Sequence, residues 1–209
     1  MRTQLLLGAA VLALSFGLTA ANAADKPAPG TKSEAMSATK DKLNHAVGVV
    51  SAEMTTTTNG FVTAAAMSDM YEVQAAKIAE TRSHDAKVEK FAKTMETAHT
   101  KTTEELKSLL SSEKINVTLP VSLDTRHQSL INDLQGAADA DFNERYMAQQ
   151  VDAHNEALIL VRGYHKSGDN KALKKFAGNV ENAVKMHLSM ATRVSKNVEK
   201  KEDAAAAKH

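Results

Sequence analysis

Four long stretches of this chain repeat apolar residues at alternating steps of three and four, and no other feature restricts its fold so tightly. The first, about residues 60–82, lines up Phe61, Ala65, Ser68, Glu72, Ala75 and Ala79. The second, about 85–112, lines up Val88, Ala92, Met95, His99, Thr102, Leu106 and Leu109. The third, about 141–167, runs Met147, Gln150, His154, Ala157 and Val161, flanked by Tyr146 and Leu158. The fourth, about 170–197, runs Leu173, Ala177, Val180, Val184, His187, Ala191 and Val194. That spacing puts each series on one side of an α-helix, and a strand would need a period of two. The chain is therefore expected to be all-α.

The connections decide how four helices can be arranged. Thr58 or Asn59, Ser83 or Asp85, Asp139 and Asp169 are the expected N-terminal caps, because each offers an oxygen to the free N–H groups of a first turn. The first and second helices are joined by a short turn, and so are the third and fourth at Gly168-Asp169. Each pair should form an antiparallel hairpin. Between the hairpins, residues 113–140 hold an extended Ile115 to Val121 with Pro120, then a short helix ending at Gly136. The second helix is roughly 40 Å long at about 1.5 Å per residue, and a connection of this length can cross it. Two hairpins joined by one long crossover make a ferritin-like four-helix bundle, expected here over residues 59–198.

The first 23 residues read as a signal peptide. Arg2 gives a positive start, Leu5 to Leu18 an apolar core, and Ala21-Asn22-Ala23 a small-x-small cleavage site. Cleavage after Ala23 would deliver a periplasmic protein. Residues 24–58 are expected to be a disordered leader, then an amphipathic helix over Ser33 to Met54, then a β-branched linker at Thr55 to Thr58. Met36, Leu43, Val47, Val50 and Met54 form the apolar face of that helix, and Gly48 weakens it. Residues 199–209 form a charged, alanine-rich tail.

Composition removes several function classes. The chain has no cysteine, so disulfides, thiolate metal ligands and thiol nucleophiles are excluded. Its 26 basic and 25 acidic side chains leave no electrostatic footprint for nucleic acid. Three Tyr, five Phe and no Trp give little platform for stacking bases or sugars. Beyond the signal no segment approaches a transmembrane span. No Gly-rich phosphate loop and no Ser-His-Asp pattern is present.

Four residues break the apolar stripes in a related way. Glu72, His99, His154 and His187 each occupy a core position on a different helix. Burying a polar group costs free energy unless it finds a partner, so one per helix at a similar depth implies convergence. Counting from the turns, the offsets within each hairpin are roughly 5–8 Å. Neutral imidazole is the commonest nitrogen ligand for zinc, copper and iron, and three imidazoles with a carboxylate make a metal set. Glu72 would be a fourth ligand or a support behind the histidines. The competing reading is a polar cluster that only fixes helix register, with hydroxyls such as Ser68 or Thr102 as partners. An oxidase or hydrolase using the same residues would need an open cleft, which the small alanines of the first helix could leave. Glu96 and His99 make an E-x-x-H step as in di-iron bundles, but Val151 and Val184 stand where the matching carboxylates would be. Met95, Met186 and Met190 lie near two of the histidines, and thioether with imidazole would suit copper.

Motifs along the chain resemble a bacterial exported family, domain of unknown function 4142. They are Phe61-Val-Thr-Ala-Ala-Ala, Tyr71-Glu72-Val73 with Lys77-Ile78-Ala79, Val88-Glu-Lys-Phe91-Ala92-Lys-Thr-Met95 with His99, Asp141-Phe142 with Tyr146, His154, Phe176-Ala177 and His187-Leu188. The resemblance covers about Asn59 to Val194 and includes all four polar positions. Family members often carry an acidic residue where this chain has Ala98, and Phe-Asp where it has Phe142-Asn143. The resemblance implies an exported ferritin-like bundle, and through related bundles a role in metal handling. The combined expectation is a metal-sequestering or envelope-stress protein that is not an enzyme. The alternative is an envelope structural protein contacting a protein or membrane surface through residues 33–54.

Overall fold

The computed structural model describes residues 32–206, and the predicted signal segment lies outside them. Six helices follow in order: α1 (Lys32–Met54), α2 (Thr58–Arg82), α3 (Ala86–Ser112), α4 (Thr125–Gly136), α5 (Phe142–Ser167) and α6 (Lys171–Ala206). No strand occurs among the described residues.

The caps lie within a residue or two of the expected ones. Thr57 Oγ1 accepts the Gly60 N–H at 3.2 Å and starts α2 one residue before Thr58. Asp85 accepts the N–H groups of Lys87 and Val88 at 2.8 and 3.3 Å. Asn170, not Asp169, caps α6 by accepting the Leu173 N–H at 3.1 Å. Asp169 is used differently: it accepts the hydroxyls of Thr58 and Tyr164 at 2.7 and 2.9 Å, tying the start of α2 to the α5–α6 turn. Asp139 does not cap α5 either. It pairs with Arg82, whose guanidinium also donates to the Leu134 and Ala137 carbonyls and lies over the Phe142 ring. This clamp fastens the end of α2 to the start of α5. Helix α6 continues to Ala206 rather than stopping near Asn197, because Val198 is buried and Lys201 pairs with Asp85.

α2 pairs with α3, and α5 with α6, across short turns. Phe61 stacks on Tyr164 at 4.1 Å, while Tyr71 donates to Gln149 at 2.9 Å, so α2 and α5 run antiparallel. Lys87 meets Asn197, and farther along His99 meets His187, so α3 and α6 are antiparallel too. The chain leaves α3 at one end and enters α5 at the other, with α4 packed beside α2 and α5 on the way. The expected two hairpins and one long crossover are therefore present.

The core is split in two. One cluster holds Tyr71, Val88, Phe91, Met95, Phe142, Tyr146 and Ala191. The other holds Phe61, Leu106, Leu160, Tyr164, Leu173 and Phe176. Between the two clusters lie His99 on α3, His154 on α5 and His187 on α6; on α2 the buried polar residue there is Asp69, and Glu72 follows it within the span of the first cluster.

Helix α1 packs on the bundle with its polar side. Asp41 accepts from Gln149 at 2.8 Å and pairs with Arg145 at 3.3 Å, while Lys40 pairs with Asp133 at 3.0 Å. Gly48 leaves room for the paired ends of Glu156 and Arg126, which a Cβ there would push aside. The apolar series faces out: Met36, Leu43, Val47, Val50 and Met54 are 56–76 % exposed. Among the described residues no helix is long and apolar enough to cross a membrane.

Candidate metal centre

His99 on α3, His154 on α5 and His187 on α6 form a nearly equilateral triangle. Their ring centroids are 5.5 Å (99–154), 5.6 Å (99–187) and 5.5 Å (154–187) apart. All three are buried. The offsets counted along the sequence are thus absorbed by helix stagger, and the three rings stand level. One nitrogen from each ring lies within 4.8 Å of those of the other two.

The hydrogen bonds fix which nitrogens are free. His154 Nδ1 is 2.8 Å from the Gln150 carbonyl, which can only accept, so Nδ1 carries the proton and Nε2 keeps its lone pair. His99 Nδ1 is 2.8 Å from Asp69 Oδ1, and the same argument leaves Nε2 facing inward. His99 Nε2, His154 Nε2 and His187 Nδ1 are all buried without a hydrogen-bond partner. Three orphaned imidazole nitrogens in one layer call for an explanation, since buried polar atoms are normally paired.

Charge follows from the same geometry. Burial pushes the His154 pKa down to about 3, helped by the neighbouring His99 charge. Burial, then His99, likewise pushes His187 down to about 4. Burial also works against His99, but the Asp69 hydrogen bond and the charges of Glu72 and Asp69 outweigh it and raise its pKa. At neutral pH, His154 and His187 are uncharged, as a metal ligand must be.

Glu72 sits behind the triangle. Its Oε1 is 3.7 Å from His154 Nδ1, and its Oε2 is buried without a partner. The three-nitrogen group does not include it. Burial raises its pKa to about 7, opposed by the His99 charge and Gln150 and reinforced by Asp69.

Asp69 also belongs to the site, although it lies off the apolar series of α2. It is buried, orients His99, and accepts the Thr103 hydroxyl at 3.1 Å through its other oxygen. The signal was the Asp69-x-x-Glu72 step, which puts both carboxylates on one helical face. The hydroxyls expected as partners do otherwise: Thr102 donates to its own helix at the Ala98 carbonyl, and Ser68 lines a cavity. Glu96 pairs with Lys77, away from the triangle, so the E-x-x-H step builds no second ligand pair. Met186 is 56 % exposed and Met95 belongs to the apolar cluster. His127, for which the sequence indicates no role, is buried between Asp124 and Arg126 in the crossover and holds that segment in place.

The model of the family described as domain of unknown function (DUF4142) matches residues 46–194, which include every residue of this site. The chain belongs to the DUF4142 family. No curated protein and no solved structure matches the chain. DUF4142 is defined by its sequence and carries no assigned activity, so the chemistry must be argued from the triangle itself. The match begins inside α1, takes in α2 to α5 and ends within α6 at Val194.

Proposed function

We propose that this DUF4142 protein binds one transition-metal ion through His99, His154 and His187. The observation that carries the proposal is three buried histidines that each offer a ring nitrogen within 4.8 Å of the others, in a layer where each ring also has a buried nitrogen without a partner. A four-coordinate ion with bonds of about 2.0–2.1 Å holds its nitrogens about 3.4 Å apart, so binding draws the rings inward. Asp69 behind His99 and the Gln150 carbonyl behind His154 are the outer partners that metal-bound histidines use. Glu72 supports His154 from the far side and balances charge. Nitrogen ligands of this kind suit zinc, copper or iron. Three protein ligands leave a fourth position open, as mononuclear sites that also bind a small molecule do. Together with the signal segment read from the sequence, this supports a periplasmic protein that sequesters metal or relieves envelope stress. Equilibrium dialysis of the metal-free protein against micromolar zinc, copper and iron(II) tests it. Binding of one ion per chain, lost in the His99→Leu/His154→Leu variant, is expected; no binding of any of the three contradicts it.

A second reading concerns the outward side of α1. Met36, Leu43, Val47, Val50 and Met54 follow steps of seven, four, three and four, the seam of a two-stranded coiled coil. Among the described side chains of α1, Lys40 is paired with Asp133 and Lys42 is the other lysine, with Glu53 on the same helix, so the helix lacks the basic face that an anionic membrane attracts. A seam that is narrow, neutral and exposed fits a second copy of this chain, α1 against α1. Sedimentation equilibrium should show a dimer for the unmodified protein and a monomer for Val47→Asp, with metal content equal in both. A monomer in both sinks this reading and leaves the metal site untouched.

A further inference from the structure

A cavity of about 50 Å³ adjoins the histidine triangle on the side of the Leu106 cluster. His99 and His187 form part of its wall, and the rest is largely apolar: Phe61, Leu160, Phe176 and Val184. Ala183 on α6 is the exposed residue of its lining, with Thr102 on α3 and Val180 on α6 half-buried, so we take the side between α3 and α6 as its mouth. The space exists because Ala65 on α2, Ala157 on α5 and Ala183 on α6 leave it unfilled. A single water needs about 10–15 Å³ on this measure, so the cavity takes about three to five water-sized spheres. Each bounding histidine has a buried ring nitrogen with no partner, Nε2 of His99 and Nδ1 of His187.

We infer that this cavity is a ligand subsite of the histidine triangle, admitting a small neutral molecule of about two to four heavy atoms to the coordination position that the protein leaves open. The inference rests on the metal reading above and adds what reaches the metal. Size excludes sugars, nucleotides and peptides. The walls are largely apolar and include the buried Asp69 carboxylate, which together disfavour an anion stripped of its hydration. A diatomic such as dioxygen or nitric oxide fits the room, the polarity and the lone-pair chemistry of an open metal position.

Two measurements separate this inference from the metal reading. The metal-free protein is titrated with xenon, which enters dry apolar cavities, and followed by xenon NMR. The protein is then loaded anaerobically with cobalt(II), the loading checked by elemental analysis, and titrated with nitric oxide while the visible and EPR spectra report coordination. The unmodified protein should take up xenon and form a stoichiometric nitric oxide adduct. Ala65→Leu, which fills the cavity, and Ala183→Phe, which obstructs the mouth, should bind cobalt equally well but weaken both xenon and nitric oxide at least tenfold. Should one variant fail to fold, the other carries the test. A cobalt-loaded protein that forms no adduct, or variants that bind nitric oxide as the parent does, overturn the inference while the metal reading stands. Xenon uptake without any cobalt binding contradicts the metal reading, and the inference falls with it.

Discussion

Replacing Asp69 by alanine isolates the outer support of the site while leaving all three ring nitrogens in place. Asp69 touches the triangle only through His99, with Oδ1 at 2.8 Å from Nδ1, and its other oxygen is occupied by Thr103. Losing the carboxylate behind a metal-bound histidine lowers affinity about 10–100-fold, or about 1.4–2.8 kcal/mol. A second effect has a definite sign. Burial and the neighbouring charge keep His154 and His187 uncharged at neutral pH, so His99 is the triangle's proton competitor there. With Asp69 present its pKa is raised above the ordinary histidine value, so metal must displace a proton below that raised pKa and none above it. Without Asp69, burial pulls the pKa back and only Glu72 still opposes it, so the pH dependence of binding moves to lower pH. Isothermal titration at several pH values, in buffers of different ionisation heat, measures affinity and proton release together. A melting curve of the metal-free variant confirms that it folds. An affinity within about twofold of the parent, with the pH dependence unmoved, would refute the assignment of Asp69 as a positioning residue and weaken the case for His99 as a ligand.

Other consequences follow from the same contacts. Glu72→Gln should stabilise the metal-free protein at pH 8 by about 2–3 kcal/mol and do little at pH 4: the folded pKa of about 7 lies above the ordinary 4.5, so the acid's contribution is full below 4.5 and is lost as pH rises through 7. Thermal melts across that range measure it, and an equal effect at both ends would contradict it. His99→Leu alone should destabilise the metal-free protein by about 3–5 kcal/mol, because it leaves the buried Asp69 carboxylate with only the Thr103 hydroxyl, whereas Asp69→Leu/His99→Leu should recover most of the loss while still binding no metal. Gly48→Val should push the ends of Glu156 and Arg126 aside and loosen the seat of α1; protease cleavage at residues 55–57 should quicken modestly while the bundle keeps its melting transition. Leu106→Ala, in the cluster beside the cavity, should cost about 2–5 kcal/mol in denaturant titration.

The bundle was legible because helical periodicity and capping chemistry are local. Phe61 through Ala79 and Leu173 through Val194 declare their buried faces by spacing alone, and Asp85 declares its helix start by side-chain reach. Three of the four flagged residues converge because a polar residue in a core position has few other places to go. What the sequence did not show depends on small rotations or on opposite helices. Asp69 is one step of about 100° from Ser68, and the three-and-four spacing of α2 passes through Ser68. Periodicity revealed that α1 is two-faced but not that the polar face docks, because Asp41 finds Gln149 and Arg145 more than a hundred residues away. Gly48 reads as a weak point in an isolated helix, yet it leaves room for the paired ends of Glu156 and Arg126. The cavity beside His187 was foreshadowed only by the alanines of α2; its walls come from four helices.

The central claim, that the triangle holds a metal ion, is tested most directly by elemental analysis of the protein purified from cells without chelator or histidine tag, beside the His99→Leu/His154→Leu variant. The account predicts close to one zinc, copper or iron per chain in the unmodified protein and none in the variant. The absence of all three metals from the unmodified protein, or equal amounts in both, would contradict it.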